Sequence, residues 1–237
     1  MANDLQYTID MITPFCRYMA ADIGVDNQPI VGIASTVRNI MLAAPMTWKF
    51  NRATYSFPIT AGTQDYEVAV PSFGFLEKAT LENAAGSMWA IQDIKNNEAL
   101  GESTTQARPT AIAVQNDDGS GTYTFRLSAV PEAAYTVNLV YQMGPTQFTE
   151  PTDPWSPIPD AFSDIYNNLC LGYYMDSCQD PRAAQYISRG IAGLLARAQG
   201  LTSLDKALFA ASYMNLDAQS IINTLKAQQG QQAQGSR

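Results

Sequence analysis

The 237-residue sequence contains no histidine. That absence removes Ser-His-Asp triads, imidazole general bases and every zinc site that needs an imidazole ligand. Cysteine is scarce and odd in number, at Cys16, Cys170 and Cys178. In a chain long enough to bury a core, this argues against a disulfide framework and for assembly in a reducing compartment. Positive charge is also short, with 14 Lys and Arg against 22 Asp and Glu and a formal net charge of −8. No basic surplus exists to hold DNA or an anionic membrane by bulk charge. Long apolar runs are missing too: Ile40 to Met46 falls far short of the roughly 20 residues that span a bilayer. The opening MANDLQYTID does not read as a secretion signal, because acids precede any apolar stretch. No glycine-rich phosphate loop occurs, and the nearest glycine pair, Gly119 and Gly121, sits in a turn signal.

What is present changes period along the chain. Between Pro29 and Ala44, Ile30, Ile33, Val37 and Ile40 recur at spacings of three and four, which predicts a helix with Arg38 and Asn39 opposite the apolar face. A shorter helix is expected around Ile9 to Ala20, with Pro14 a candidate for its start. Near Trp48 the period becomes two. Tyr55, Phe57 and Ile59 alternate with Thr54, Ser56 and Pro58, then turn signals at Ala61-Gly62-Thr63 and Pro71 to Gly74 separate further strands. Ser87 to Ile94, Thr110 to Gln115, Thr122 to Leu127 and Tyr135 to Gln142 complete about seven, with Asn116 to Gly121 a strong hairpin signal. Five prolines between Gly144 and Pro159 then predict a stiff connector.

Beyond the connector the helical period returns. Asp160 is the expected N-cap of a helix carrying Phe162, Ile165, Leu169 and Tyr173. Asp180-Pro181 starts a second that Gly200 closes, and a third runs from Ser203 to about Ala227 with a stripe including Phe209 and Tyr213. The short N-terminal helices cannot bury a face alone, so they are expected to pack with the C-terminal ones. The fold class is therefore α+β: a helical domain, made of N-terminal helices plus three C-terminal helices, with an inserted antiparallel β-sandwich or small barrel. The expected boundaries are 1–50 and 160–227 for the helical domain, 51–148 for the β domain, 149–159 for the connector and 228–237 for a flexible tail.

No catalytic, cofactor-binding or metal set emerges. Asp160 with Asp164, and Asp176 with Asp180, have the spacing of an acid pair, but helix starts explain both without chemistry. Asp117 and Asp118 read as turn residues before calcium ligands. Cys170 and Cys178 read as buried packing residues. The aromatic residues, among them Trp48, Phe50, Tyr166, Tyr173 and Tyr174, serve core packing, a subunit contact or a sugar platform; Trp48 and Trp155 are expected to pack at the two domain junctions. The three function classes to separate are a structural adaptor, a β-sandwich module displaying aromatics to a host-surface glycan or receptor, and a hydrolase with an acid pair.

One resemblance favours the first. Trp48-Lys49-Phe50-Asn51-Arg52, followed by Gly62-Thr63-Gln64-Asp65-Tyr66, looks like a pattern in virion proteins of tailed bacteriophages. It is joined by Phe73 to Lys78, by Arg108-Pro109 and by Trp155-Ser156-Pro157-Ile158-Pro159-Asp160. The order of these motifs over residues 45 to about 182 is similar to the head-to-tail adaptor family, which includes tail tubular protein A-like neck proteins. The resemblance implies a non-enzymatic virion protein of the neck or tail, assembled in the host cytoplasm, with no cofactor and no membrane. It implies a homo-oligomeric ring, typically dodecameric, with the portal protein above and a tail nozzle or tail tube protein below. DNA passes through such a ring without specific binding. Trp48, Asn51, Arg52, Tyr66, Arg108, Trp155, Asp160, Phe209 and Tyr213 are the structural or interface candidates.

Overall fold

The computed structural model describes residues 3–19, 27–94, 100–150 and 152–214. The chain divides into two compact units, one of residues 1–50 with 146–237 and one of Asn51–Pro145.

The first unit is helical. Helix α1, Leu5–Met19, begins before the expected Ile9 and carries Pro14 in its interior. The missed start signal is Asp4, whose Oδ1 accepts the Tyr7 N–H at 2.9 Å, as an N-cap carboxylate does. Helix α2, Asn27–Leu42, buries Ile30, Ala34, Val37, Ile40 and Met41. Arg38, expected on its polar face, is buried as well, at 5% exposure. The reason lies in the returning chain: Phe148 lies under the guanidinium, 4.6 Å from ring centroid to Cζ, and the Ser156 carbonyl accepts from Nη2.

Residues beyond 145 are a structural part of this unit and not a bare spacer. Phe148, Trp155 and Ile158 are buried in the helical core, and the Phe148 N–H donates to Ser35 Oγ at 3.2 Å. The same stretch clips the start of the chain: Leu5 N–H donates to the Asp153 carbonyl and Trp155 N–H to the Asn3 carbonyl, both at 3.0 Å. Asp153 is itself held by N–H groups of Thr149 and Glu150, which keep its carboxyl below the usual range.

Helices α3, Ser163–Ser177, α4, Ala183–Arg197, and α5, Ser203–Met214, complete the unit. Sequence periodicity predicts one buried stripe on α3. It is instead buried on most sides, through Ile165, Tyr166, Leu169, Cys170, Leu171, Gly172 and Met175, because α1, α2 and α4 all pack on it. α5 starts with a capping box: Thr202 Oγ1 accepts the Asp205 N–H and Asp205 Oδ2 accepts the Thr202 N–H, each at 3.1 Å. The expected continuation of this helix to Ala227 and the tail 228–237 lie outside the described residues.

Asn51–Pro145 forms the β unit. Its strands are β1 Arg52–Ile59, β2 Asp65–Ala69, β3 Phe73–Glu82, β4 Met88–Asp93, β5 Ala111–Asp117, β6 Thr122–Leu127 and β7 Tyr135–Met143. They form one sheet in the order β1-β7-β3-β4-β5-β6-β2, curled until it is nearly closed, so the fold is α+β with a sandwich-like small barrel. Phe57 on β1 and Phe73 on β3 meet Phe125 on β6 across its interior, at 5.6 and 5.9 Å between ring centroids. Every pairing is antiparallel except β4 with β5, which run parallel. The long connection from residue 94 to 110 is what allows this, since a short hairpin cannot join parallel strands. Pro58 is tolerated because β1 stands at one end of the strand order.

Gly74 is expected in a turn, but β3 already begins at Phe73. The register with β7 slips between Phe73 and Phe75 and again between Leu76 and Lys78. Each slip inserts one unpaired residue and reverses the side-chain alternation. Phe73, Leu76, Ala79 and Leu81 therefore all face inward although their spacing is not uniformly two. Gly74 sits where a Cβ would come within 2.8 Å of the Gly144 nitrogen, so the first bulge requires glycine.

Glycine also sets how closely α3 and α4 approach. A Cβ on Gly172 would lie 2.7 Å from Ile187 Cγ1 and 2.8 Å from its backbone nitrogen, whereas one on Gly32 of α2 would meet nothing within 4 Å. Gly172→Ala is therefore expected to destabilise the helical unit by about 1–3 kcal/mol through overpacking. Gly32→Ala should stabilise it by about 0.5–1 kcal/mol, since only the unfolded chain loses freedom. Urea titration followed by helical circular dichroism checks both; equal effects would refute the close-packing account.

Candidate functional site

The Trp-x-x-Asn-Arg run divides its side chains between the two units. Trp48 is buried in the helical core, its Nε1 donating to the Met41 carbonyl at 2.7 Å. It stacks on Phe50 at 5.5 Å and meets the edge of Phe162 at 5.3 Å. Arg197 covers the Phe162 ring at 4.8 Å, donates to the Ala161 carbonyl and pairs with Asp164 at 3.4 Å. Trp155, also in this core, packs on Tyr166 at 4.3 Å and donates from Nε1 to Thr8 Oγ1 at 3.1 Å. Tyr166 reaches the Ala34 carbonyl at 2.9 Å, and burial pushes its phenol pKa well up.

Asn51 begins the β unit, where its Nδ2 donates to the Met143 carbonyl at 2.8 Å and ties the first strand position to the last. Arg52 forms a fork on Glu77, with Nε to Oε2 at 2.8 Å and Nη2 on Oε1. Gln142, fully buried, donates to the same Glu77 Oε2 at 2.9 Å. Glu77 is the extra residue of the second bulge, so the register slip is what aims it at both partners. Burial pushes its carboxyl pKa up, but the bonds from Arg52 and Gln142 outweigh that and hold it below the ordinary value.

The Gly-Thr-x-Asp-Tyr turn has a mechanical role. Tyr66 OH accepts the Thr60 N–H at 3.1 Å and lies 2.8 and 2.7 Å from the Thr60 and Thr63 carbonyls, so one hydroxyl fixes the β1–β2 loop. Asp65 pairs with Arg126 through two bonds of 2.6 and 2.7 Å; that bonding lowers its carboxyl pKa. Arg108 lies over the Trp89 ring at 4.8 Å.

Asp160 does not cap its helix. A short 3₁₀ turn, Asp160–Phe162, precedes α3, and neither start carries a side-chain cap. Its Oδ1 accepts the Asn3 N–H at 2.9 Å, a partner 157 positions away that no local pattern could reveal. Asp180 accepts the Arg182 N–H at 2.8 Å and pairs with its guanidinium, ahead of the first residue of α4. Phe209 is buried and Tyr213 half-buried, 4.7 Å apart in the α5 contact with the helical core.

The structure thus gathers Trp48 with Phe50 and Phe162, and Arg52 with Glu77 and Gln142, but leaves Tyr66, Arg108 and Asp160 in separate settings. Sequence reasoning missed Arg38, Glu77 and Gln142. Cys170 is buried and its thiol pKa pushed up by desolvation, whereas Cys178, expected to be buried, is exposed because α3 ends one residue earlier. Asp117 and Asp118 accept N–H groups of Gly119, Ser120 and Thr122 at 2.8–3.1 Å, with Gly119 and Gly121 at positive φ, which is turn chemistry. Among the described residues no three Cys, Asp or Glu side chains converge as a metal set, and no helix is long and apolar enough to cross a membrane. Among the described residues Tyr7, at 38%, is the one aromatic among the large apolar side chains that stand exposed, while Tyr55, Tyr66, Trp89, Tyr123 and Tyr135 of the β unit are partly buried against its core.

Glu77 gives this region a pH dependence. Its folded pKa lies below the unfolded one, so its contribution is complete above the ordinary carboxylate value and disappears as pH falls through the lower folded value. Glu77→Gln is expected to cost about 1 kcal/mol at neutral pH, discounted for the part-exposed Arg52, and to shrink the acid-side loss of stability. Thermal melts of wild type and variant from pH 7 to 3 check this; parallel curves would remove Glu77 from the account.

No curated protein matches the sequence. The model of the SU10 adaptor protein family matches residues 10–232, which covers most of both units. The chain therefore belongs to the SU10 adaptor protein family and is a phage structural adaptor, of a non-catalytic kind.

Proposed function

We propose that the chain is a ring-forming head-to-tail adaptor of the virion neck. It binds the portal protein on one side and a tail nozzle or tail tube protein on the other. Its homo-oligomeric ring is dodecameric, and DNA passes through the centre.

The observation that carries this reading is the division of labour in an adaptor-family chain. Both chain ends build one helical unit, and the inserted β unit has a separate core. A subunit joining two different neighbours needs two surfaces that can vary independently, and two separately cored units supply them. The net charge of −8 supports passage of DNA without adhesion, since like charge opposes binding. The helical unit makes most of the subunit contacts, and the β unit faces outward or towards the tail. A ring that closed before the portal existed would have no template, so the free chain is a monomer or a labile oligomer.

A reconstruction of the particle neck tests this, alongside mass photometry of the purified chain. The expected result is a ring beneath the portal and monomers or unstable oligomers in solution. Location at a fibre tip, with no copies in the neck, would overturn the adaptor reading.

A further inference from the structure

Among the described residues, two helix faces of the helical unit stand exposed, and they differ in complementary ways. On α1, Tyr7, Asp10, Met11 and Pro14 fall on one stripe at spacings of three and four, and all four are exposed. Tyr7, whose ring meets Trp155 edge-on at 5.8 Å along one side, and Met11 are 38% and 44% exposed, which makes the outer part of this stripe large, apolar and singly acidic. Asp10 takes only the amide of Gln6, at 2.8 Å, and has no cationic partner among the described residues.

The outer stripe of α4 is the reverse. Gln185, Arg189, Ala192 and Ala196 recur at the same spacings and are all exposed. α4 contains no acidic residue, and Arg189 has no ion-pair partner among the described residues, whereas Arg182 and Arg197 are engaged by Asp180 and Asp164. Its alanines leave shallow positions where large side chains can seat, as knobs on one helix fill gaps on another. Both helices pack on α3, but α1 has α2 as its other neighbour and α4 has α5, so the stripes are two distinct patches.

We infer that the α1 stripe of one subunit docks on the α4 stripe of a second copy, with Tyr7 and Met11 over Ala192 and Ala196 and Asp10 facing Arg189. The inference rests on the ring reading and names its subunit contact. Two different patches in contact make a heterologous interface, the kind that closes into a ring and not into a two-fold dimer. Two helix faces bury less than the roughly 1,600 Å² of a standard stable interface, so single contacts are weak and the ring holds only when many act together on a template.

The test uses full-length variants incorporated into phage particles. Asp10→Arg and Arg189→Glu each set like charges opposite one another and should reduce the adaptor copies per particle about tenfold, with the double variant restoring them. Both positions are exposed and outside the cores, so circular dichroism of each purified variant should match wild type. In a second arm, Met11→Cys with Ala192→Cys, on a Cys16→Ser and Cys178→Ser background that leaves only the buried Cys170, is treated with a short bifunctional maleimide in particles. A ladder of covalent multimers is expected from the double variant and none from either single variant. Wild-type copies in the neck with no ladder and no charge-swap rescue would overturn this interface and leave the ring reading standing. Dimers from a single variant would indicate a two-fold contact and overturn it too. Absence of the wild-type chain from the neck would overturn both readings.

Discussion

Among the described residues Arg38 is the one charged side chain that is buried, and burying it obliges the chain to come back to α2. Desolvation pulls the guanidinium pKa down, while Tyr166 and Asp153 nearby favour its charged form. Removing the charge from water is tolerable only because Phe148 offers a ring face and Ser156 a carbonyl, both from the segment that follows the β unit. The same segment supplies Trp155 and Ile158 to the helical core and clips Asn3 and Leu5 through backbone bonds. The first fifty residues therefore have no complete core until the chain has built the β unit and returned.

α3 is where this constraint becomes architecture. It presents Tyr166 to α2 and accepts α4 through Gly172 and Gly190, so that residues far apart in sequence share one hydrophobic cluster. A helix buried on most sides carries few charges, and α3 has Asp164 near its start and Asp176 near its end. The outward-facing stripes then fall to the helices around it, which is why α1 and α4 carry the exposed faces among the described residues.

The β unit solves a different problem with the same economy of side chains. Its strand ends are held by Asn51, Arg52, Glu77 and Gln142, and its first loop by Tyr66. Two bulges in β3 set this up, since they reverse the alternation twice and aim a carboxylate at an arginine on β1. For a structural adaptor such bonds are the working parts. They hold the shape of the unit.

Much of this was legible in the sequence, because period and turn chemistry are local. The change from period 3.6 to period 2 near Trp48, the strands β6 and β7, the Asn116 to Gly121 hairpin and the return to helices after Pro159 all follow from neighbouring residues, as does the α+β class. The motif residues Trp48, Asn51, Arg52 and Tyr66 were visible as a pattern, but their partners were not. Asp160 meets Asn3, Arg38 meets Phe148 and Ser156, and Arg52 meets Glu77 across separations that only the folded chain closes. The parallel β4–β5 pair and the near-total burial of α3 share that character. Local sequence determined which elements form, since propensity and amphipathic period act over a few residues. Tertiary structure alone decided which polar groups leave water and which helix faces remain open, because both depend on surfaces brought together from opposite ends of the chain.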